Sequence, residues 1–340
     1  MKKESLITFC KNILLKLNVD SDKANATSEI LVEADMMGHT THGVRLLPNY
    51  VSDIKNSIMR INGNYEIISE KKSNMIIDGK LLPGIWLTQE GLKIAKDKAK
   101  NYGVSTVTIG NSHHNGALAA YLKNIAEEGF VGIIKCSVPS NSTVAPFGGT
   151  EPLFTPNPMA IGFPTNDLPV IIDISASITT NNMIAEKVAN KQKFDFDCLL
   201  TLDGNPSNDP LVVKDQGGTV LPIGGMEYGH KGYGLALGIE ALSQGLSGFG
   251  RVDNPKSMNL STFIQIIDPE FFSGLDEFKR QMSHTVSKAK TNKPIPGRTI
   301  FIPGERALMK RQKALKNGIF LNEVTKSSLI ELGRRFNEKL

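Results

Sequence analysis

The sequence contains little cysteine. Only Cys10, Cys136 and Cys198 occur among 340 residues, and no two of them have the CxxC spacing. Three isolated cysteines give no indication of a disulfide framework or a structural zinc site. Cys136 stands in an apolar run, which is typical of a core residue. The fold must therefore rest on a hydrophobic core, which a chain of this length is long enough to build.

Long hydrophobic runs and basic stripes are also missing. No apolar run approaches the roughly 20 residues that span a bilayer, and residues 1–7 show no sustained apolar segment of a secretory signal. The net charge is +5 at pH 7, but the lysines and arginines are scattered and not interleaved with aromatics. We therefore expect no nucleic-acid or membrane partner. We expect a cytoplasmic protein with a mild attraction for small anions.

Several catalytic motifs are absent as well. No G-x-G-x-x-G follows a first strand, and the glycines of residues 229–234 precede an apolar helix without the acidic residue that a dinucleotide fingerprint places about 20 positions later. No P-loop, no H-E-x-x-H and no G-x-S-x-G occurs. Rossmann, kinase and hydrolase hypotheses therefore lose their usual support.

Helical periodicity is present at both ends of the chain. Helices are predicted at 5–38 (as a hairpin), 44–54, 87–99, 233–245, 272–289, 304–315 and 325–339. Strands are predicted at 65–68, 75–78, 104–109, 131–138, 159–163, 170–174 and 263–267, and the polar stretch 198–222 predicts an irregular segment. We predict an α+β protein. Residues 1–60 and 275–340 would form one helical domain, and residues 61–274 a mixed α/β domain.

Three histidine-rich turns supply groups for proton transfer, at residues 38–45, 111–116 and 229–234. We expect them to share one pocket. In the first turn His42 is the favoured proton-transfer residue, because a hydroxyl, a glycine and an arginine lie within the same five residues. A metal site built from the first two turns is the weaker alternative, since Asp35 is the only carboxylate near either.

Asp173 ends an apolar strand and is followed by Ser175 and Ser177. A carboxylate and hydroxyls at the end of a strand are a frequent way to hold a ligand, but they serve equally well as a turn cap. The Pro-rich and Gly-rich stretch 145–158 predicts a loop that either wraps a pocket or simply connects two strands.

These blocks, taken together with others along the chain, carry a resemblance. They are Thr41-His42-Gly43-Val44, Asn111-Ser112-x-His114-x-Gly116, Ala145-Pro146-x-Gly148-Gly149, the run from Asp173 to Ser177, Gly229-His230-Lys231-Gly232-Tyr233-Gly234 and Pro303-Gly304-Glu305-Arg306. With them the chain resembles, over nearly its whole length, the malate/L-lactate dehydrogenase family that is unrelated to the Rossmann-type enzymes of the same names. That family includes ureidoglycolate dehydrogenase, diketogulonate reductase, sulfolactate dehydrogenase and cyclic imino acid reductases.

The resemblance implies a homodimer whose nicotinamide cofactor, NAD or NADP, lies on a mainly antiparallel, non-Rossmann sheet. It implies that His42 is the catalytic acid/base and that Thr41, Arg45 and His114 contact the substrate. It implies no metal. Cofactor contacts fall on three blocks, which are Asp173, Ile174, Ser175, Ala176 and Ser177, then His230, Lys231 and Gly232, and then Pro303, Gly304 and Glu305.

Some positions depart from the family pattern. Thr41 stands where many members have Ser, Asn115 where an aromatic is usual, and Asn181-Asn182-Met183 where many have Arg-Gly-Lys. Arg45 lies one place before the typical arginine, Ser261-Thr262 replaces a common Gly-His, and the polar excursion near 195–197 is shorter. Because these changes surround the predicted pocket, they indicate a shifted substrate more economically than a lost activity.

The resemblance therefore predicts an NAD(P)H-dependent oxidoreductase that interconverts a small 2-oxo acid and a 2-hydroxy acid. One alternative keeps the hydride chemistry and reduces a cyclic or linear 2-imino acid at its C=N bond. Another is a catalytically silent ligand-binding relative, which the substitutions near the pocket suggest. The choice between NADH and NADPH stays open, because no residue type identifies the contact to the ribose 2′ position.

Overall fold

A computed structural model describes all residues from Met1 to Leu340 and contains twelve α-helices. They are α1 Lys3–Lys16, α2 Ser21–Met36, α3 Leu47–Lys55, α4 Gly84–Tyr102, α5 Ala119–Glu127, α6 Asn181–Ala189, α7 Leu211–Asp215, α8 Gly225–Tyr228, α9 His230–Glu240, α10 Leu275–Lys290, α11 Glu305–Asn317 and α12 Glu323–Arg335. Two 3₁₀ turns, Thr40–His42 and Val44–Leu46, separate α2 from α3. None of the helices is long and apolar enough to cross a membrane.

Ten strands form two sheets. They are β1 Glu66–Lys71, β2 Asn74–Asp78, β3 Val104–Ser112, β4 Val131–Ser137, β5 Pro158–Phe163, β6 Val170–Ser175, β7 Leu199–Leu200, β8 Pro206–Ser207, β9 Thr219–Val220 and β10 Leu260–Ile267. The main sheet has the order β1-β2-β3-β10-β4-β5-β6, and only β2 and β3 pair in parallel. The predicted α+β fold with a mainly antiparallel, non-Rossmann sheet is confirmed.

The middle of the main sheet is covered on both faces. On one face α4 packs against β3 and β10, and α5 packs against β4, β5 and β6. On the other face α9 continues into a π-helical turn, Ala241–Gly245, that packs against β3, β4 and β10. Because β10 is covered from both sides, six of its eight residues are buried, as is usual for strands with two covered faces. The strand β6 lies at one edge of the main sheet, and the candidate site lies at its end.

Helices from the two ends of the chain meet, since α11 packs on α2 and α12 on α3. Within α1 the inward residues follow the helical spacing that predicted the hairpin, namely Leu6, Phe9, Cys10, Ile13 and Leu14. These helices share one cluster of 50 buried residues with the main sheet. The proposed division into residues 1–60 with 275–340 and residues 61–274 therefore stays a prediction.

Some elements differ from the predictions. The stretch 198–222 is not irregular, because it contains the three-stranded sheet β8-β7-β9 and the short helix α7. Two-residue strands leave too little alternation for a period to be detected. The helices α5 and α6 were not predicted. Asn322, whose side chain accepts a hydrogen bond from Thr325 N, caps α12, and Pro48 lies in the first turn of α3.

Candidate active site

A cavity of about 670 Å³ lies between the turn that follows α2 and the end of β6. Four segments form most of its wall, at residues 39–42, 114–118, 173–178 and 180–182. These include two of the three histidine-rich turns, so the prediction that all three share one pocket holds for two of them. The volume is typical of a small-molecule site. Its lining contains neither lysine nor arginine.

His42 lies in the 3₁₀ turn at the cavity wall, and both ring nitrogens have partners. Thr41 Oγ1 is 3.0 Å from Nδ1, and Asn182 Nδ2 is 3.3 Å from Nε2. Burial lowers the pKa of His42 to about 4, and the charge on nearby His39 adds to this shift. His42 is therefore neutral at neutral pH, and a neutral imidazole has one nitrogen free to accept a proton.

His114 stacks on His42, with ring centroids 5.8 Å apart and planes inclined by 16°. Its Nδ1 lies 2.8 Å from the Tyr50 hydroxyl and accepts a hydrogen bond from Gly116 N at 3.2 Å. Burial lowers the pKa of His114 to about 3, with smaller contributions from neighbouring histidines. A neutral ring whose Nδ1 accepts carries its proton on Nε2. His114 is therefore a hydrogen-bond donor at the cavity wall.

A buried carboxyl holds the turn that carries His42. Asp35 Oδ2 accepts a hydrogen bond from Val44 N at 2.7 Å, and a Cβ on Gly43 would come within 2.3 Å of the Asp35 carboxyl. Only glycine therefore fits at position 43. Burial raises the pKa of Asp35 to about 7, while the Val44 bond opposes the rise. The sequence singled out Asp35 as a carboxylate near the turn, and the structure gives it a positioning role.

Asp173 and His39 both line this cavity. Asp173 Oδ2 accepts a hydrogen bond from Ala119 N, the first residue of α5, at 2.9 Å. Burial raises the pKa of Asp173 and lowers that of His39, and their mutual attraction opposes both shifts. His39 Nε2 is buried without a hydrogen-bond partner. Asp173 thus combines the two predicted roles, because it caps a helix and also lines a cavity.

The three blocks predicted to hold the cofactor follow one strand, β6. From the first block Asp173, Ile174, Ser175 and Ser177 line the cavity. Ala176 is buried, and its amide donates to Pro156 O at 2.8 Å. Ser175 Oγ donates to Ser177 O at 2.7 Å, so the backbone turns sharply where the strand ends.

The second block begins α9 and lies behind the cavity wall. The amide of Ile223, which lines the cavity, donates to Ala176 O, and Gly232 N donates to Ile223 O. A Cβ on Gly232 would lie 2.3 Å from Ile223 N, so a side chain is not tolerated there. His230 and Lys231 are exposed. Lys231 Nζ lies 5.2 Å from the centre of the Tyr228 ring.

The third block runs beside the other end of β6 and does not line the cavity. Ile171 N donates to Pro303 O at 3.2 Å. Gly304 has a φ of +86°, and a Cβ there would meet the Ile171 backbone at 2.9 Å. Glu305 pairs with Lys290 Nζ at 2.6 Å. From Ile171 to Ala176 the strand spans about 16 Å, so the three blocks form an extended surface along β6.

Arg45 lies outside the cavity. Its guanidinium is 3.8 Å from Glu186 Oε2 on α6, and the two side chains are 37% and 42% exposed. Contact between Arg45 and a substrate therefore stays a prediction. No group of three His, Cys, Asp or Glu side chains could hold a metal ion.

No contact with the site histidines was predicted for Tyr50, His39 or Asn182, yet the structure shows one for each of them. Tyr50 stands in a Pro48-x-Tyr50 pattern, and Asn182 stands in the run that departs from the family. Those two signals were visible in the sequence. The presence of His39 and Asp173 in one cavity wall was not visible in the sequence, because 134 positions separate them along the chain.

Comparisons with known proteins agree with this architecture. A model of the malate/L-lactate dehydrogenase family matches residues 1–330. The malate/(S)-sulfolactate dehydrogenase of Methanothermus fervidus is 32% identical over 335 residues, which are 96% of this chain and 95% of the relative.

Solved structures match over the full length. Malate dehydrogenase from Entamoeba histolytica gives a TM-score of 0.94 at 28% identity, covering 100% of this chain and 98% of that chain. Malate dehydrogenase from Pyrococcus horikoshii OT3 gives 0.89 at 30% identity, covering 100% and 96%. The resemblance predicted from the motifs is confirmed. The chain belongs to the malate/L-lactate dehydrogenase family and is an oxidoreductase that acts on CH–OH groups.

Proposed function

We propose that the protein catalyses reversible hydride transfer between a nicotinamide cofactor, NAD or NADP, and a small 2-oxo acid or its 2-hydroxy acid, with His42 as the acid/base. The observation that carries this proposal is the pair of stacked, neutral histidines in one cavity. One of them, His42, has a nitrogen able to accept a proton, and the other, His114, has a nitrogen able to donate a hydrogen bond.

The proton has a defined route. During oxidation His42 Nε2 accepts the proton of the substrate hydroxyl, and during reduction it returns that proton to the new alkoxide. Thr41 Oγ1, 3.0 Å from Nδ1, fixes the ring and accepts from Nδ1–H. His114 Nε2–H donates to the substrate oxygen and orients the carbonyl. Both histidines are needed because one moves the proton while the other stabilises the oxygen.

The substrate itself helps to charge His42. No lysine or arginine lines the cavity, so a bound carboxylate is not neutralised by a fixed cation. A negative charge close to the ring favours the imidazolium and raises its pKa from about 4. Binding of the 2-oxo acid therefore promotes the protonated form that reduction requires. Neutral donors such as Asn115 and Asn181 would then hold the carboxylate by hydrogen bonds.

The residues along β6 fit a nicotinamide cofactor. Asn181 lines the cavity, and its Oδ1 is buried without a partner, so an amide or hydroxyl donor of a ligand that reaches this atom would satisfy it. Ser175 and Ser177 add hydroxyls, and Lys231, whose ammonium lies over the Tyr228 ring, offers a cation for a phosphate. When bound, the cofactor supplies or accepts the hydride at the substrate carbon.

A substrate panel tests the proposed reaction. Pyruvate, oxaloacetate and a cyclic 2-imino acid are each offered with NADH and with NADPH, and oxidation of the cofactor is followed. We expect turnover with at least one oxo acid and little with the imino acid. Turnover of the imino acid alone would contradict C=O reduction. Cofactor binding by calorimetry without any turnover would identify a silent ligand-binding relative.

We also propose a homodimer, in a cytoplasmic setting. The helix α9 supports the dimer because one of its faces is apolar, smooth and exposed. That face carries Gly234, Leu237 and Gly238 and continues at Ala241, the first residue of the π-helical turn, and Leu237 is 46% exposed. A Cβ on Gly234 or Gly238 would meet nothing within 4 Å. The face is thus free for the same face of a second copy, as in a two-fold interface.

Leu237→Glu is expected to shift the sedimentation mass from dimer towards monomer, because it places a charge in the centre of an apolar contact. The matched control is Ile68→Glu, which changes a 57% exposed residue on β1 at the far edge of the main sheet. The control should sediment like the wild type. If Leu237→Glu leaves the dimer unaffected, α9 is not part of the dimer interface.

A further inference from the structure

Asn182 lies in the first turn of α6 and reaches the proposed acid/base. Its Nδ2 lies 3.3 Å from His42 Nε2 and 3.3 Å from the backbone oxygen of Thr41. Asn182 is half-buried and lines the cavity beside His42. One amide group thus contacts both the ring and the backbone of the turn that carries the ring.

These two contacts fix the orientation of the amide. A backbone carbonyl can only accept a hydrogen bond, so the side-chain atom that faces Thr41 O must be the NH₂ group. The second N–H of that group then points to His42 Nε2, which must be unprotonated to accept it. The proton of the neutral ring is left on Nδ1, where it is donated to Thr41 Oγ1 at 3.0 Å. All three contacts are consistent with one tautomer of His42.

The start of α6 is held by a helix cap and by apolar packing, which restricts the position of the Asn182 amide. Thr180 Oγ1 accepts a hydrogen bond from Met183 N at 3.3 Å and caps the helix. Ile184 is buried in a second apolar cluster with Ala176. One helical turn after Asn182, Glu186 faces Arg45 at 3.8 Å. Residues four apart lie on one helix face, and this face of α6 therefore meets the His42 turn at two points.

We propose that Asn182 is a positioning residue that holds His42 in the proton-accepting tautomer and leaves Nε2 when a substrate oxygen takes its place. The proposal rests on the assignment of His42 as the acid/base in the proposed function. Since a neutral amide donates to Nε2 without adding charge, it keeps the empty site ready to accept the hydroxyl proton of a 2-hydroxy acid. A carboxylate at this position would favour the imidazolium instead.

Other charged and titratable groups surround His42. His39 precedes it on the same turn and acts on its ring, while Asp173 of β6 and Lys310 of α11 act on His39. His114 stacks on the ring from the segment after β3, and α6 brings Glu186 opposite Arg45. These groups are unchanged when Asn182 is replaced. Comparison of variants at position 182 therefore isolates the contribution of the amide.

The test is a titration of the imidazole nitrogens by ¹⁵N NMR in the ligand-free protein, with Asn182→Ala, Asn182→Asp and wild type. In wild type we expect His42 Nε2 to be unprotonated and Nδ1 protonated. Asn182→Ala is expected to raise the pKa of His42 by about one unit, since the lost hydrogen bond stabilises only the neutral ring. Asn182→Asp is expected to raise it further, by about one to three units above wild type.

The matched control is Asn190→Ala, which removes an exposed asparagine at the other end of α6 and should leave the titration unchanged. Circular dichroism checks that each variant folds, and the near-isosteric Asn182→Asp serves if Asn182→Ala does not. An unchanged pKa and an unchanged tautomer of His42 in the folded position-182 variants would overturn the proposal.

Turnover is not needed for this titration, so its outcome is separate from that of the proposed function. If the pKa of His42 shifts as expected in the Asn182 variants but the protein oxidises no hydroxy acid, the role of Asn182 stands and the proposed reaction is rejected. In an active protein, the pH profile of kcat/KM for hydroxy acid oxidation should change in the same direction. Its acid limb should move to higher pH as the pKa of His42 rises. A limb that stays in place while the titration moves would separate Asn182 from catalysis and overturn its role there.

Discussion

His42→Ala is expected to lower kcat for oxidation of a 2-hydroxy acid by a factor of about 10² to 10⁴, the usual contribution of a positioned acid/base. The ring nitrogen that accepts the hydroxyl proton is lost, and no other protein base replaces it. His114 is stacked on the same ring, but its Nδ1 is bonded to Gly116 N and faces Tyr50. It therefore cannot take over the proton. The measurement is steady-state kinetics with a saturating cofactor.

Cofactor binding separates loss of chemistry from loss of structure. The blocks along β6 do not include His42, so the dissociation constant of the cofactor should stay within about a factor of three. The acid limb of the pH–rate profile should also disappear, because the group that titrates is gone. His284→Ala is the matched control, since His284 is exposed on α10. Wild-type turnover in His42→Ala would reject the assignment of His42.

Gly84→Ala is expected to destabilise the protein by about 3 kcal/mol, near the upper end of the range for overpacking. Gly84 is the first residue of α4, and a Cβ there would lie 1.8 Å from His113 O and 2.8 Å from His114 C. Both are backbone atoms, so no side-chain rotation relieves the clash. The turn that carries His114 must move. Denaturant unfolding measures the loss of stability.

The same displacement should reduce kcat, because a shift of about 1 Å in a catalytic group costs on the order of 10²-fold. Gly149→Ala is the control for adding a methyl group to a glycine. Its Cβ would approach Pro146 O no closer than 3.5 Å, which is an ordinary contact, and it should leave both stability and kcat near wild type. If the stability and kcat of Gly84→Ala fall within the range of this control, the contact at Gly84 does not fix the turn that carries His114.

The regular elements were predictable wherever one period ran long enough. In α1 the buried residues Leu6, Phe9, Cys10, Ile13 and Leu14 repeat at helical spacing, and the strands of the main sheet were predicted to within a few residues. The prediction of an irregular segment at 198–222 was wrong because β7, β8 and β9 have only two residues each. The helix α6 was not predicted because only one of its residues, Ile184, is buried. A single buried residue leaves no apolar stripe to detect.

The site was predictable where chemistry is local and not where it depends on packing. Thr41 and His42 are neighbours in sequence, so their contact was expected from the motif. The cavity brings His39 of a turn and Asp173 of β6 into one wall, and the bond from Asn182 to His42 spans 140 positions. Such contacts follow from how the sheet and helices pack. The orientation of Arg45 towards Glu186 is likewise set by the position of α6.

The most direct test of the proposed reaction is transfer of deuterium to a 2-oxo acid from a reduced nicotinamide cofactor that carries deuterium at both C4 positions, with the product analysed by mass spectrometry and NMR. The proposed reaction places the deuterium at C2 of the 2-hydroxy acid, with the hydroxyl proton supplied by His42. A product without deuterium at C2, or no product from any 2-oxo acid, would contradict it.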